Sequence, residues 1–374
     1  MAGDPEVCEL LVHALEVDGV DKDRLTHGFH TYPARMHWAT PARLIEGLGL
    51  SQKRVLDPFC GSGTTLVEAR VAGCEGLGVD LSPLAVRLSR VKSDPLDANT
   101  RAELLLTANA VRVESEELVQ ARANVRADLP ASEIGWYEPH VLKEMAGLYS
   151  RIQALEQPAQ REVLTLVFSS LVVKFSRQRS DTSTELVARR VRKGLVSEFF
   201  ERKAGELAER LEALARAAGP GEGLPTHVLE GDARALVDYL ARRKVDAIIC
   251  SPPYGGTYDY VEHHARRLAW LGRSTKRMEA HELGARRRGD DARGFADQLR
   301  MALAAMRGVL RKDGFALLLM GDGEHRGQRV AADELVAELA ADVGLFPLAV
   351  ASQERPDFRG GSARAEHLMA LVAR

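Results

Sequence analysis

Arg54 to Pro83 of this chain read RVLDPFCGSGTTLVEARVAGCEGLGVDLSP. RVLD and GLGVD are short apolar runs that each end in Asp, and LVEARVAG between them has helical apolar spacing closed by a Gly. The spacing predicts a strand, helix, strand unit. Such units build parallel sheets with right-handed crossovers, which puts Asp57 and Asp80 at the carboxyl ends of neighbouring strands, where open α/β sheets bind ligands. After the first strand, Pro58 fixes the exit, and Gly61 and Gly63 allow a tight path into a helix beginning near Thr64. Free N–H groups at such a loop favour a carboxylate or phosphate. A nucleotide phosphate loop is excluded because no Lys follows Gly63, and the dinucleotide fingerprint GxGxxG lacks its third Gly. An amino acid joined to a nucleoside fits better, with its carboxylate at the loop and its ribose hydroxyls on an acid at the next strand end. Asp80 stands there; read alone, it serves equally as a cap for the helix beginning at Ser82.

Outward from this unit, the α/β rhythm runs to about Asp97. From Ala98 to Pro225 the chain is rich in Ala, Leu, Glu and Arg at helical spacing, and the Gly219 to Gly223 run then ends the last helix. Strands follow at THVLEG (from Thr226), VDAIIC (Val245 to Cys250) and FALLLM (from Phe315), with helices around Phe295 to Val309 and Asp333 to Asp342. FPLAVASQ and EHLMALVAR are expected to close the chain as an antiparallel hairpin. This reading divides the chain into a sheet domain, 1–98 and 226–374, and a helical insertion, 99–225.

The second informative stretch is VDAIICSPPYGGTYDY, a buried strand running into two prolines and two glycines. Methyl transfer to an aromatic amine needs alignment, an acceptor for the amino hydrogens and a flat clamp on the ring. The SPPY loop supplies all three: Ser251 and the Pro252 carbonyl as acceptors, Pro253 for rigidity, and Tyr254 as a stacking surface. No covalent nucleophile is required. Carbon-5 methylation of a pyrimidine would need a Pro-Cys arrangement, which the chain lacks; Cys60 and Cys250 read as buried small residues.

DPFCGSGTTLVEA with GVDLSPLAV, and SPPY downstream, resemble the S-adenosylmethionine-dependent DNA amino-methyltransferases of the cytosine-N4 and adenine-N6 type. Phe29 to Gly47, FHTYPARMHWATPARLIEG, is similar to the segment that closes over the cofactor in the same family, although a helix capped by Thr40 also accounts for it. The resemblance implies a Rossmann-like methyltransferase fold, a mostly parallel seven-stranded sheet with a C-terminal antiparallel hairpin and a helical insertion. It implies S-adenosyl-L-methionine as cofactor, with Asp57, Pro58, Phe59, Gly61, Gly63 and Thr64 around its methionine end, Asp80 on the ribose and Asp232 near the adenine. Asp232 also reads as a helix cap. In that family Ser at the first position of the tetrapeptide favours cytosine N4, which makes Ser251, Pro252, Pro253 and Tyr254 the expected catalytic loop. Adenine N6, guanine N2 of RNA and a silent nucleic-acid-binding scaffold are the alternatives. Cofactor loop first, insertion next and catalytic loop last resembles the subgroup that holds its target-recognition region between the two, and any restriction endonuclease would be a separate chain.

The net charge of -2 gives no global sign of a nucleic-acid binder, so basic surface must be local. From Val261 to Lys312 there are thirteen Lys/Arg against six Asp/Glu, with Tyr258, Tyr260 and Trp270 as stacking candidates. A second candidate is KFSRQRSDTSTELVARRVRK, Lys174 to Lys193, read otherwise as a loop and a helix capped by Asp181 or Ser183. The four cysteines show no zinc spacing, and neither a long apolar run nor a signal peptide is seen, so a cytoplasmic protein is expected.

Overall fold

A computed structural model describes the chain outside residues 182, 184, 220–223, 242, 256–258, 285–291, 326–327, 356–362 and 374. The strands are β1 (Ala2–Gly3), β2 (Arg54–Asp57), β3 (Glu75–Asp80), β4 (Thr226–Glu230), β5 (Val245–Cys250), β6 (Leu310–Gly321), β7 (Gly323–His325), β8 (Gln328–Val330), β9 (Leu345–Arg355) and β10 (Arg364–Ala373). Eight of them form one sheet in the order β1-β9-β10-β6-β5-β2-β3-β4, while β7 and β8 pair separately. From β4 to β6 the pairing is parallel, and β10 is antiparallel to both β6 and β9. This is the Rossmann-like methyltransferase sheet with its closing hairpin. The expected seven strands are joined by an eighth: β1, two residues long, pairs with the outer edge of β9. A two-residue strand carries too little pattern to be read from sequence.

The chain order reverses between β2 and β5, because β3 and β4 extend the sheet one way and β5 and β6 the other. In open α/β sheets the crevice at such a reversal is the binding site. The two stretches singled out by motif, following β2 and β5, leave the sheet side by side at that crevice.

The helices are α1 (Pro5–Leu15), α2 (Ala39–Gly47), α3 (Thr64–Val71), α4 (Pro83–Ser93), α5 (Ala98–Gln120), α6 (Ala131–Ile134), α7 (Pro139–Gln153), α8 (Pro158–Phe175), α9 (Leu195–Ala218), α10 (Leu236–Leu240), α11 (Tyr260–Trp270), α12 (Lys276–His281), α13 (Ala292–Val309) and α14 (Ala332–Ala341). The helices α5, α7, α8 and α9 share one apolar cluster with α4 and α11: Leu84 and Leu88 of α4 meet Leu104, Met145, Leu164 and Phe200, and Leu268 and Trp270 of α11 close it. The helical stretch is thus seated on the helices flanking the crevice. Among the described residues, no helix is long and apolar enough to cross a membrane.

Candidate active site

The loop after β2 is held almost wholly by its own neighbours. Asp57 accepts the Phe59 N–H (3.1 Å), the Cys60 N–H reaches the Val79 carbonyl (3.1 Å), and the Gly63 N–H closes back on the Cys60 carbonyl (2.7 Å). Gly61 and Gly63 lie at φ 49° and 86°, and a Cβ on Gly63 would stand 2.9 Å from the Ser89 Cα, so glycine is required there. Ser89 donates from Oγ to the Gly61 carbonyl at 2.8 Å.

Asp80 is the hinge of this arrangement. Its two carboxylate oxygens accept the Gly61 and Ser82 N–H groups, each at 2.8 Å. The cap of α4 is Ser82, whose Oγ accepts the Ala85 N–H at 3.4 Å, which leaves Asp80 facing the crevice. Burial lifts Asp80 to about 6 against the pull of the Ser82 and Gly61 N–H groups. Burial lifts Asp57 to about 7; the Thr65 hydroxyl and Phe59 N–H oppose this and the nearby Asp80 carboxylate adds to it.

The crevice is an open cleft of about 940 Å³, counted with its open mouth. Asp57, Pro58, Phe59, Gly61, Thr64 and Asp80 line one end. Asp232, Ser251 and Pro253 line it as well. Gly63 and Pro252 stand behind this lining. Asp232 is both a wall and a cap: it accepts the Arg234 N–H (2.9 Å) and pairs with the guanidinium (2.9 and 2.5 Å). Burial raises its pKa, but the Arg234 bonds outweigh that and hold it below the ordinary carboxylate range.

Tyr254 does not line the cleft. Its ring lies against Gly321 at the end of β6, where a Cβ would stand 2.8 Å from the Tyr254 Cε2, and its hydroxyl donates to Glu366 of β10 at 3.0 Å. Arg355 of β9 holds the other Glu366 oxygen at 3.4 Å. Burial and the Glu366 charge push the Tyr254 hydroxyl well above the usual tyrosine range, with the Ser251 hydroxyl acting the other way. Burial and neighbouring carboxylates likewise keep the Cys60 and Cys250 thiols protonated, so neither is poised as a nucleophile.

Two groups of lining residues have no counterpart among the expected site residues. Tyr32, Arg35 and Met36 come from the stretch noted for its resemblance, Phe29 to Gly47, so their signal was in the sequence. Met278, His281 and Glu282, at the end of α12, had none. Glu282 reaches the cleft wall while accepting the Tyr260 N–H at 2.8 Å.

The basic stretch after the catalytic loop is partly internal, contrary to its reading as surface. Arg267 is 1% exposed, pairs with Asp181 and donates to the Ser169 carbonyl (3.3 Å); Arg266 stacks on Trp136 at 3.4 Å; and Trp270 is buried, donating to the Tyr137 hydroxyl (2.9 Å). The long guanidinium stems bury well when a carboxylate or ring awaits them. Arg273, Lys276 and Arg277 are exposed; Tyr258 and Arg286 to Arg288 lie outside the described residues. In the Lys174 to Lys193 segment the described residues between α8 and α9 hold no helix: Gln178 and Leu186 form a bridge, and Arg189 donates to the Gln178 and Arg179 carbonyls (2.9 and 3.2 Å). Asp181 is a partner for Arg267 rather than a cap.

Residues 16–90, spanning the cofactor-side loop and the Tyr32 to Met36 wall, match the family model described as DNA methylase. A Type II methyltransferase, M.MvaI of Kocuria varians, is 40% identical over 79 residues, 20% of this chain and 17% of its own length. M.BsoBI of Geobacillus stearothermophilus, also a Type II methyltransferase, is 24% identical over 285 residues, 69% of this chain and 55% of its own. The match therefore spans about half of that longer relative. Among solved structures, the rRNA methyltransferase aviRa from Streptomyces viridochromogenes is 14% identical with a TM-score of 0.36, over 96% of each chain.

S-adenosylmethionine is the cofactor that goes with the match at residues 16–90. The cleft fits it on its own chemistry: Gly61 leaves the loop backbone bare where a Cβ would fill the space toward Tyr32 (3.2 Å), the Asp80 carboxylate faces the cleft as an acceptor for hydroxyls, and Met36, Leu81 and Leu283 offer apolar wall.

Proposed function

We propose that this chain methylates an exocyclic amino group of a DNA base, cytosine N4 in the first place. The observation that carries the proposal is that Ser251 and Pro253 of the SPPY loop line the same cleft as Asp57 and Asp80. Bound S-adenosylmethionine supplies a methyl group made electrophilic by its sulfonium. Asp80 would accept ribose hydroxyls, Asp232 and its neighbours would take the adenine, and the glycine loop from Phe59 to Thr64 would receive the amino-acid end. Ser251 Oγ and the Pro252 carbonyl accept from the amino group and orient its lone pair toward the cofactor end. Tyr254, held by Glu366 outside the cleft lining, braces the SPPY loop against the ends of β6 and β10. The DNA methylase description of the family model matched at residues 16–90 supports DNA over RNA, and Ser251 supports cytosine. The helices α5 to α9 and the 177–187 stretch are proposed as the target-recognition region, with a separate endonuclease chain as the associated activity.

Incubation with methyl-labelled cofactor and separate DNA and RNA pools tests this directly, followed by nucleoside analysis. The expected product is N4-methylcytosine in DNA. Label confined to RNA, or found as N6-methyladenine, would overturn the respective half of the proposal.

A further inference from the structure

Lys92, in the last turn of α4, is fully buried, yet its ammonium has a single hydrogen-bond partner among the described residues, Ser62 Oγ of the cofactor loop at 3.3 Å. Among the described residues no carboxylate pairs with it. The charged groups around it are mostly of its own sign: Arg35 from the segment before α2 and Arg210 from α9 both act on it repulsively. His27 and His30 lie within its field. Glu68 of α3 is the nearby acid, but its oxygens are taken by His27 (2.7 Å) and Arg24 (2.9 Å). A buried ammonium without a counter-ion is among the costliest arrangements a protein can hold, and an arriving anion would relieve that cost.

The geometry locates that anion. Ser62, the one partner of Lys92, lines the cleft, and Arg35 lines it too. Between them runs the glycine loop that leads into α3, whose Phe59, Cys60, Gly61 and Gly63 N–H groups are already engaged by Asp57, Val79, Asp80 and Cys60, so that the charge for an arriving anion comes from side chains. We propose that Lys92, acting with Ser62 and Arg35, forms a carboxylate subsite that receives the α-carboxylate at the amino-acid end of the cofactor. Lys92 is the buried charge of this subsite and Arg35 its cleft-wall charge. This inference rests on the S-adenosylmethionine reading of the cleft and adds which residues carry its charge recognition.

The test uses two probes that differ only at the amino-acid end: S-adenosylhomocysteine, which has the carboxylate, and methylthioadenosine, which lacks it. Calorimetry and ligand-free thermal melts are run on the wild type, Lys92→Met and Lys92→Gln. Losing one charge-assisted contact is expected to weaken S-adenosylhomocysteine about 10- to 100-fold and to leave methylthioadenosine nearly unchanged. The ligand-free melting temperature of Lys92→Met is expected to hold or rise, since an uncompensated charge has been removed. Equal weakening of both probes with a lowered melting temperature would make Lys92 a packing residue and overturn the proposal, as would unchanged binding of S-adenosylhomocysteine. If Lys92→Met does not fold, Lys92→Gln decides by the same comparison of the two probes. Failure of the wild type to bind either probe would instead overturn the cofactor reading itself.

Discussion

The two ends of the cleft are built differently. At the cofactor end nearly every contact is short in sequence or joins adjacent elements: Asp57 to Phe59, Gly63 to Cys60, Asp80 to Gly61 and Ser82. At the substrate end the defining contacts span the chain, with Tyr254 bound to Glu366, Tyr260 to Glu282 and Arg267 to Asp181. A loop that organises itself can be recognised from a dozen residues. A wall assembled from distant helices and strands cannot, and it is the part free to vary with the substrate.

The contrast can be broken most severely at Arg267. Arg267→Ala leaves an internal void and strands Asp181, and a loss of about 3–5 kcal/mol is expected in denaturant unfolding; a loss below about 1 kcal/mol would show that the helical stretch does not depend on this tie. Next comes Gly63→Ala at the self-contained end. Its Cβ meets the Ser89 backbone at a left-handed φ, so a loss of about 2–3 kcal/mol is expected, accompanied by loss of cofactor binding. Glu366→Leu should lower kcat about tenfold with KM for cofactor unchanged, while Glu366→Gln, which still accepts from Tyr254, recovers most of it. Equal loss in both variants would remove Glu366 from the positioning of Tyr254.

A pH series separates the ends more gently. Asp57 and Asp80 have folded values of about 7 and about 6, above those of an unfolded aspartate, so the folded state holds more protons between about pH 4 and 7. Ligand-free stability from these groups is therefore fully present at the acid end of that window and falls as pH rises through it. Asp57→Asn should flatten that fall in melts from pH 5 to 8. Affinity for S-adenosylhomocysteine should climb as pH passes about 6, where Asp80 ionises, and Asp80→Asn should lack the climb. The smallest effect is reserved for the exposed cations: Arg273→Ala with Lys276→Ala should change stability by less than about 0.5 kcal/mol, and a reduced salt slope of DNA binding would place them on the backbone contact.

Much of the sheet was readable before any coordinates. β2, β3, β5, β6 and the closing pair announced themselves by short apolar runs, because strands buried on both faces carry unbroken Val, Ile and Leu. The cofactor loop was readable because its Gly, Asp and Pro positions are backbone requirements. Charge counting failed at α11: a run of arginines looks the same whether the heads reach water or, like Arg266 and Arg267, find Trp136 and Asp181 inside. The orientation of Tyr254 was equally hidden, since its partner lies on the last strand. Lys92 gave no hint, for only the folded packing shows that no acid meets it.

Helix α11 starts at Tyr260 on the cleft wall and ends at Trp270 in the helical core, about 16 Å along a stiff rod. Its midsection is pinned by Arg267 to the turn that carries Asp181. The chemistry and the helical segment are consequently not interchangeable modules. Grafting a different set of helices onto this sheet would also move the residue that shapes the cleft, so new sequence preferences would have to be acquired by exchanging side chains on the existing helices rather than by swapping them whole.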